Sequence, residues 1–369
     1  MSSRKVRIGI VGGRFGSTFQ FHEHPNCTVE AVSDFNPDQR KVLMETYRCN
    51  KSYVTLEEVI KDKDVDAVAI FTPAPFHAHH SIAALKAGKH VFCAVPAVMN
   101  LEEAEELKET VEKTGLIYMM AETSYYHQSV ISARKWYKEG KFGEIFYTEA
   151  EYYHPGLDVL FFENGQRTWR YGFPPMHYPT HCTSYLIGVT GERLTSVTCV
   201  GWGDDSQVLK DNAYNNPFWN ETAFFKTDKG HAFRVAIYWN APVRGCERGQ
   251  WCGTKMSFYD PHPNGLGPVI VRFSEEDEKD GKEGVRKLPH LEQYEQEIWW
   301  KTDMLPEPLR HPSGHDGSHT FLTHEFIDAL VNERTPAIDI NEALAYTVPG
   351  IIAHKSALEG GRQLEIPQF

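Results

Sequence analysis

Val6-Arg7-Ile8-Gly9-Ile10-Val11 runs directly into Gly12-Gly13-Arg14-Phe15-Gly16, and the next apolar run, Thr28–Ser33, ends on Asp34. A short β-branched strand, a glycine-rich turn and an acid about 20 residues on are the layout of a dinucleotide site. The glycines let the chain turn tightly and bring backbone N–H groups and a helix N-terminus against a pyrophosphate, while the acid accepts from the adenosine ribose hydroxyls. Counted from Gly12, a strict G-x-G-x-x-G wants glycine where Arg14 and Ser17 stand, so the loop is one residue short. A carboxylate at Asp34 repels a 2′-phosphate, so NAD is expected rather than NADP, with the Arg14 guanidinium pulling the other way. Gly12, Gly13, Arg14, Phe15, Gly16 and Asp34 are the first candidate cofactor-binding residues.

Up to Ala121 the same rhythm continues. Strand patterns at Val6–Val11, Thr28–Ser33, Ala67–Phe71, His90–Cys93 and Ile117–Ala121 alternate with helical ones at Pro37–Tyr47, Thr55–Lys61, His79–Ala87 and Leu101–Lys113, and Gly88 stands as a helix stop. This predicts an α/β fold: a Rossmann domain over residues 1–122 built on a doubly wound parallel sheet. Beyond it come one helix, Val130–Lys138, and aromatic-rich runs at Ile145–Tyr153, Thr195–Trp202, Glu221–Lys226, His231–Trp239 and Lys255–Tyr259. They predict an α+β domain over residues 123–369 with a large, mostly antiparallel sheet. Ser274–Arg286 reads as a charged solvent loop or hairpin, and final helices at His319–Asn332 and Ile340–Glu359 are expected to pack back on the first domain.

Composition narrows the function. The 369 residues carry 38 Lys+Arg against 50 Asp+Glu, a net charge of −12, and hold no basic block of the kind a nucleic-acid binder needs. With a mean hydropathy of −0.46 and no apolar run long enough to cross a bilayer, no membrane partner is expected. The N-terminus shows no secretory pattern, so a cytoplasmic location is expected. Seven scattered cysteines without CxxC spacing suit reduced thiols. The 18 histidines raise the question of a metal. Pro179 interrupts His177-x-x-x-His181 and no Glu follows His177, so none is expected.

Thr72-Pro73-Ala74-Pro75-Phe76-His77, then Ala84-Leu85-Lys86-Ala87-Gly88-Lys89-His90-Val91, Pro96, Phe142-Gly143-Glu144-Ile145 and Arg334-Thr335-Pro336 resemble the Gfo/Idh/MocA oxidoreductase family, whose members use a nicotinamide cofactor on sugars and cyclitols. The resemblance implies an active site between the two domains, a homo-oligomer (dimer or tetramer) formed through the open sheet, and cofactor contacts from Thr72, Pro73, His77 and Pro96. Two departures stand out. Family dehydrogenases carry Glu-Lys-Pro where this chain has Ala94-Val95-Pro96, so the proton-transferring lysine is missing, and His177 replaces the aspartate of Asp-x-x-x-His.

The branch that shares the missing lysine is the NAD-dependent glycosidases of glycoside hydrolase family 109. Its strand-end Glu, Tyr-x-His, Trp-Arg and Tyr-Pro-Thr-His are matched by Glu122, by Tyr152 and His154, by Trp169 and Arg170, and by Tyr178-Pro179-Thr180-His181. In that branch the bound cofactor oxidises C3 of the sugar, the aglycone is eliminated, water adds and the hydride returns. The resemblance makes His181 the main acid/base and Tyr178 its partner on a substrate hydroxyl, with Glu122, Tyr152, His154 and His177 as further catalytic candidates and Trp169 and Arg170 on the cofactor side. A cluster of His and Tyr suits proton transfers near neutral pH. The alternative is an NAD-dependent sugar or cyclitol dehydrogenase; either way the partner is a small carbohydrate.

Overall fold

The computed structural model describes residues 5–154, 160–241, 246–261, 267–272 and 290–369. The charged stretch Ser274–Arg286 lies outside them. Strands β1 (Val6–Val11), β2 (Cys27–Ser33), β3 (Ser52–Tyr53), β4 (Ala67–Ile70), β5 (His90–Cys93) and β6 (Tyr118–Met120) form a parallel sheet in the order β3-β2-β1-β4-β5-β6. This is the nucleotide-binding order, with its switch point between β1 and β4.

Parallel strands buried on both faces must be apolar almost throughout, and β4, β5 and β6 are. Ile8, Ile10, Ala67, Ala69, Phe92 and Met119 fall in one core cluster, whereas Val11, Val68, Ile70, Val91, Cys93, Tyr118 and Met120 fall in the other. Local signals start the helices. Asn36 accepts from the N–H groups of Asp38 and Gln39 ahead of Pro37–Tyr47, a Thr55/Glu58 capping box opens Leu56–Lys61, and Asn100 caps Leu101–Thr114. The helix expected at His79–Ala87 starts two residues earlier, at His77, after a single turn at Ala74–Phe76.

The helix after the glycine loop is a single turn, Gly13–Gly16, and irregular chain carrying Phe19 and Phe21 follows it to β2. Those rings pack on Phe92 with centroids 5.5 and 5.4 Å away. The helix Ser318–Val331, from the far end of the chain, completes that face: Phe326 lies 5.4 Å from Phe92, and His319 stacks on Phe19 at 4.2 Å.

The second sheet is formed by β7 (Ile145–Tyr153), β10 (Leu194–Trp202), β11 (Asn220–Thr227), β12 (Ala232–Tyr238), β13 (Cys246–Gly253), β14 (Met256–Asp260), β15 (Val269–Arg272), β16 (His290–Gln293) and β17 (Leu364–Glu365), while β8 (Phe162–Glu163) and β9 (Gln166–Arg167) make a separate hairpin. The nine strands run in the order β16-β15-β14-β13-β7-β12-β11-β10-β17, antiparallel except for β7 against β12. Helices Gln128–Lys138, Thr180–Thr190 and Ile340–Leu358 cover one face. The other face is open and carries Arg234 and Arg248 paired with Glu149 and Glu151.

Strand β13 had no counterpart in the sequence reading, because Cys246-Glu247-Arg248-Gly249-Gln250 shows no apolar alternation. Gly249 is needed there, since a Cβ would lie 2.1 Å from the Tyr185 ring. The two sheets are joined through the Ile340–Leu358 region: Met120 N donates to Ile338 O at 3.0 Å and Ala97 N to Thr347 Oγ1 at 3.4 Å. All seven cysteines are free thiols, and no helix among the described residues is long and apolar enough to cross a membrane.

If Phe326 belongs to the core of the first sheet, Phe326→Ala should cost about 3–5 kcal/mol, the range for deleting a buried aromatic ring. A urea titration should show a lower midpoint with an unchanged slope. An unchanged midpoint would detach that helix from the core.

Candidate active site

The carboxyl ends of β1, β2, β4, β5 and β6 deliver the residues of the cleft, as the topology requires. Gly12 has φ 102°, and a Cβ on it would sit 2.5 Å from the Phe71 carbonyl oxygen, so only glycine fits. Asp34 ties the end of β2 to this loop: Oδ2 accepts from Gly13 N at 2.6 Å and Oδ1 from Asn36 N at 2.8 Å. Arg14 reaches out to Glu163 of the β8–β9 hairpin, and Phe15 packs edge-on against Phe71. With only one helical turn behind Gly13, little helix dipole is available to a pyrophosphate. Backbone N–H groups and the Arg14 charge remain.

His77 fastens the next two strand ends together. Its Nε2 lies 2.7 Å from the Thr72 carbonyl oxygen and its Nδ1 2.8 Å from that of Pro96. Burial lowers its pKa and prevails over the two carbonyls, which favour the protonated ring, so the neutral imidazole donates to one carbonyl and packs against the other. Thr72, Pro73, His77 and Pro96 therefore form one rigid wall. Where the family lysine would stand, Val95 packs partly buried against the apolar core. Gly12–Gly16, Asp34 and this wall are a shape and a donor set that fit a dinucleotide.

At the end of β6 the character changes from binding to charge. Glu122 is 0% exposed and His181 5%, and Nδ1 of His181 lies 3.0 Å from Glu122 Oε1. Glu122 is placed by accepting from Ser124 N at 2.8 Å. His181 is the second residue of Thr180–Thr190, a helix that can begin there because Pro179 precedes it. Ser124 Oγ, 3.0 Å from His181 Nδ1, donates in turn to Glu247, whose Oε1 is 3.9 Å from the same nitrogen.

Burial alone would lower the His181 pKa, but Glu122, with Glu247 behind it, overrides that and raises it well above the imidazole range. Burial would likewise raise Glu122, and the neighbouring imidazolium holds it below its usual value. At neutral pH the site thus stores a proton on His181. Its Nδ1–H is spent on Glu122 and Ser124, and among the described residues Nε2 has no hydrogen-bond partner, which leaves that N–H free for a ligand.

Aromatic rings wall this donor. Tyr152 stacks on His181 at 4.5 Å, Tyr178 lies 5.1 Å from it, and Trp239 stands 5.9 Å from Tyr178 and 6.1 Å from His154. Burial raises the Tyr178 pKa, and Arg170 works against it. Arg170 lies over the Trp169 ring at 4.1 Å and has no ion-pair partner among the described residues. His177 is turned elsewhere. Its ring packs on Phe173 at 6.0 Å and on His354 at 5.2 Å, His354 being paired to Glu221, and burial with His354 pushes its pKa down to about 3. The structure thus brings together Glu122, Tyr152, His154, Tyr178 and His181, and separates His177 from them.

Sequence reasoning missed Ser124, Trp239 and Glu247. The register of β13 on β7 puts Glu247 directly opposite Tyr152. That pairing cannot be read from a strand without alternation.

Comparison with known proteins bears out the resemblance. Residues 6–122 match the family model GFO_IDH_MocA, described as an oxidoreductase family with an NAD-binding Rossmann fold. NAD is therefore the cofactor this domain is built for. A glycosyl hydrolase family 109 protein of Solibacter usitatus is 26% identical over 99% of this chain and 88% of its own length. The alpha-N-acetylgalactosaminidase of Tannerella forsythia is 24% identical over 98% of this chain and 82% of its own. Among solved structures, levoglucosan dehydrogenase in complex with NADH superposes with a TM-score of 0.78 at 17% identity, covering 99% of this chain and 100% of that one. Apo scyllo-inositol dehydrogenase of Lactobacillus casei does so with 0.69 at 16%, covering 99% of each. These structures share the fold.

The ion pair has a pH signature. Raised His181 contributes stability in full below the ordinary imidazole pKa and loses it as pH climbs through its folded value; depressed Glu122 contributes in full above the ordinary carboxylate pKa and loses it as pH falls through its own. The contribution is therefore complete between about pH 4.5 and 6.5. Glu122→Gln should bring the His181 NMR titration down toward the ordinary range and flatten the alkaline fall in melting temperature, with Glu247→Gln doing the same to a lesser degree. A His181 titration unmoved by Glu122→Gln would remove the pair from the account.

Proposed function

We propose that the chain is an NAD-dependent glycoside hydrolase: transient oxidation at C3 of the sugar, elimination of the aglycone, addition of water and re-reduction, with no net redox change. The observation that carries the reading is a stored proton beside a missing lysine. His181 holds its proton between Glu122 and Glu247, while Val95 occupies the place of the family's base. Both readings need a group for the C3 hydroxyl proton, and only the hydrolase also needs a donor to a departing glycosidic oxygen. A buried imidazolium is that donor.

NAD, when bound, supplies the hydride acceptor and donor for C3. Gly12, Gly13, Arg14, Phe15, Gly16, Asp34, Thr72, Pro73, His77 and Pro96 would hold it. His181 Nε2–H, facing the ring wall, protonates the leaving oxygen, and Glu122 and Glu247 stabilise the resting cation so that the proton returns to the same place. Tyr178 takes the C3 hydroxyl proton and returns it on re-reduction, the Arg170 charge easing its ionisation against burial. His154, beside Tyr152 and Trp239, takes the C2 proton for the elimination and returns one when water adds. Tyr152 and Trp239 offer flat faces against which a sugar ring packs. The relative named an alpha-N-acetylgalactosaminidase makes N-acetylhexosaminides the first substrates to test. The open face of the second sheet, with Phe224 56% and Val200 64% exposed, is the surface we assign to self-association as a dimer or tetramer.

Protein loaded with NAD should release nitrophenol from a p-nitrophenyl N-acetylhexosaminide with no growth of the reduced-cofactor absorbance. Stoichiometric NADH from a free sugar, without aglycone release, selects the dehydrogenase instead. Tyr178→Phe should retain NAD binding and lose turnover by about 10² to 10⁴, the general acid/base range.

A further inference from the structure

The loop Gly314-His315-Asp316-Gly317 lies at the glycine loop, and no step above uses it. His315 and Asp316 are both left-handed, with φ 49° and 56°, and Gly317 follows at 85°. Consecutive non-glycine residues in that region are costly and persist only where the surroundings over-determine them. Here they do. The Asp316 carboxylate accepts from Gln128 N at 3.1 Å, its carbonyl accepts from Gln128 Nε2 at 2.8 Å, and Gln128 Oε1 accepts from Trp299 N at 2.5 Å.

What this strain holds in place is a chain of two imidazoles. His319 Nδ1 lies 3.0 Å from the Thr18 carbonyl oxygen, which can only accept, so the His319 proton is on Nδ1. In the neutral ring Nε2 is then the acceptor, and His315 Nδ1, 2.9 Å away, must donate to it. Both rings are neutral: burial pushes His319 down to about 4, and His315, sheltered on the side it turns to the His319, His181 and His127 imidazoles, is lowered as well. His315 is thereby locked as the Nδ1–H tautomer with a bare lone pair on Nε2. Among the described residues that nitrogen has no partner, the side chain is exposed, and its ring stands 5.6 Å from Phe15.

We propose that His315 Nε2 is a hydrogen-bond acceptor for a ligand hydroxyl lying between the glycine loop and His181. His181 presents a free N–H and His315 a free lone pair, so the two suit a ligand with neighbouring hydroxyls, one accepting and one donating. Both the cofactor ribose and the sugar have that chemistry. The inference needs only that the cleft bind one of them, whichever reaction follows.

His315→Phe keeps the ring on Phe15 and removes the acceptor. Calorimetry with NAD alone, and KM for the aryl glycoside, separate the sources. A tenfold or greater loss of NAD affinity assigns the ribose; unchanged NAD affinity with a tenfold rise in KM assigns the sugar. If no glycoside turns over, binding of the free sugar to the NAD complex replaces KM, so failure of the hydrolase reading leaves this test intact. Both quantities within twofold of wild type would overturn the proposal. Independently of any variant, two-bond 15N NMR of the wild-type protein should show His315 protonated on Nδ1 and bare on Nε2, and the reverse tautomer would overturn it equally.

Discussion

A carboxylate and an imidazole, both almost wholly out of water and 3.0 Å apart, set the terms for the rest of this molecule. Neither could be charged alone at that depth, because an isolated buried ion loses several kcal/mol of hydration. Together, with Ser124 and Glu247 attached, they hold one proton at one place. That requirement explains why three distant segments converge: the end of β6 with Glu122, the Pro179-led helix with His181, and β13 with Glu247. Shifting any of them by one residue would turn its side chain away and leave the other charges unpaired.

The surroundings make that proton available without letting it leak. Tyr152, Tyr178 and Trp239 wall it, and among the described residues His181 Nε2 has no hydrogen-bond partner. The first sheet contributes rigidity of an unusual origin, because much of one face is covered by Ser318–Val331 rather than by a helix following the glycine loop. The same helix carries His319 and so couples the covering of the sheet to the Thr18–His319–His315 chain. Packing and polar geometry are one structure here.

The parallel sheet and its order were legible because period and burial agree. Strands apolar on both faces can only be buried twice, and Asn36, Thr55 and Asn100 mark their helices by capping chemistry. The core of the site was legible because Glu122, Tyr152, His154, Tyr178 and His181 sit in short motifs with fixed neighbours. Three features were not. Glu247 lies on a strand whose local composition reads as loop, and only its pairing with Tyr152 makes it a strand and a site residue. The glycine loop implies a helix N-terminus but not how short that helix is, and the chain to β2 places Phe19 and Phe21 on the sheet beneath a helix from the other end of the sequence. His177, four residues from His181, turns toward His354 and Glu221 because the turn before Pro179 points it away.

The central claim, that this cleft oxidises and re-reduces its sugar on the way to hydrolysis, is tested most directly by isotopes. A glycoside deuterated at C3 should give a product that keeps that deuterium at C3, and the same reaction of unlabelled glycoside in heavy water should introduce deuterium at C2. Loss of the C3 label to free cofactor, or a C2 that never exchanges, would contradict the account.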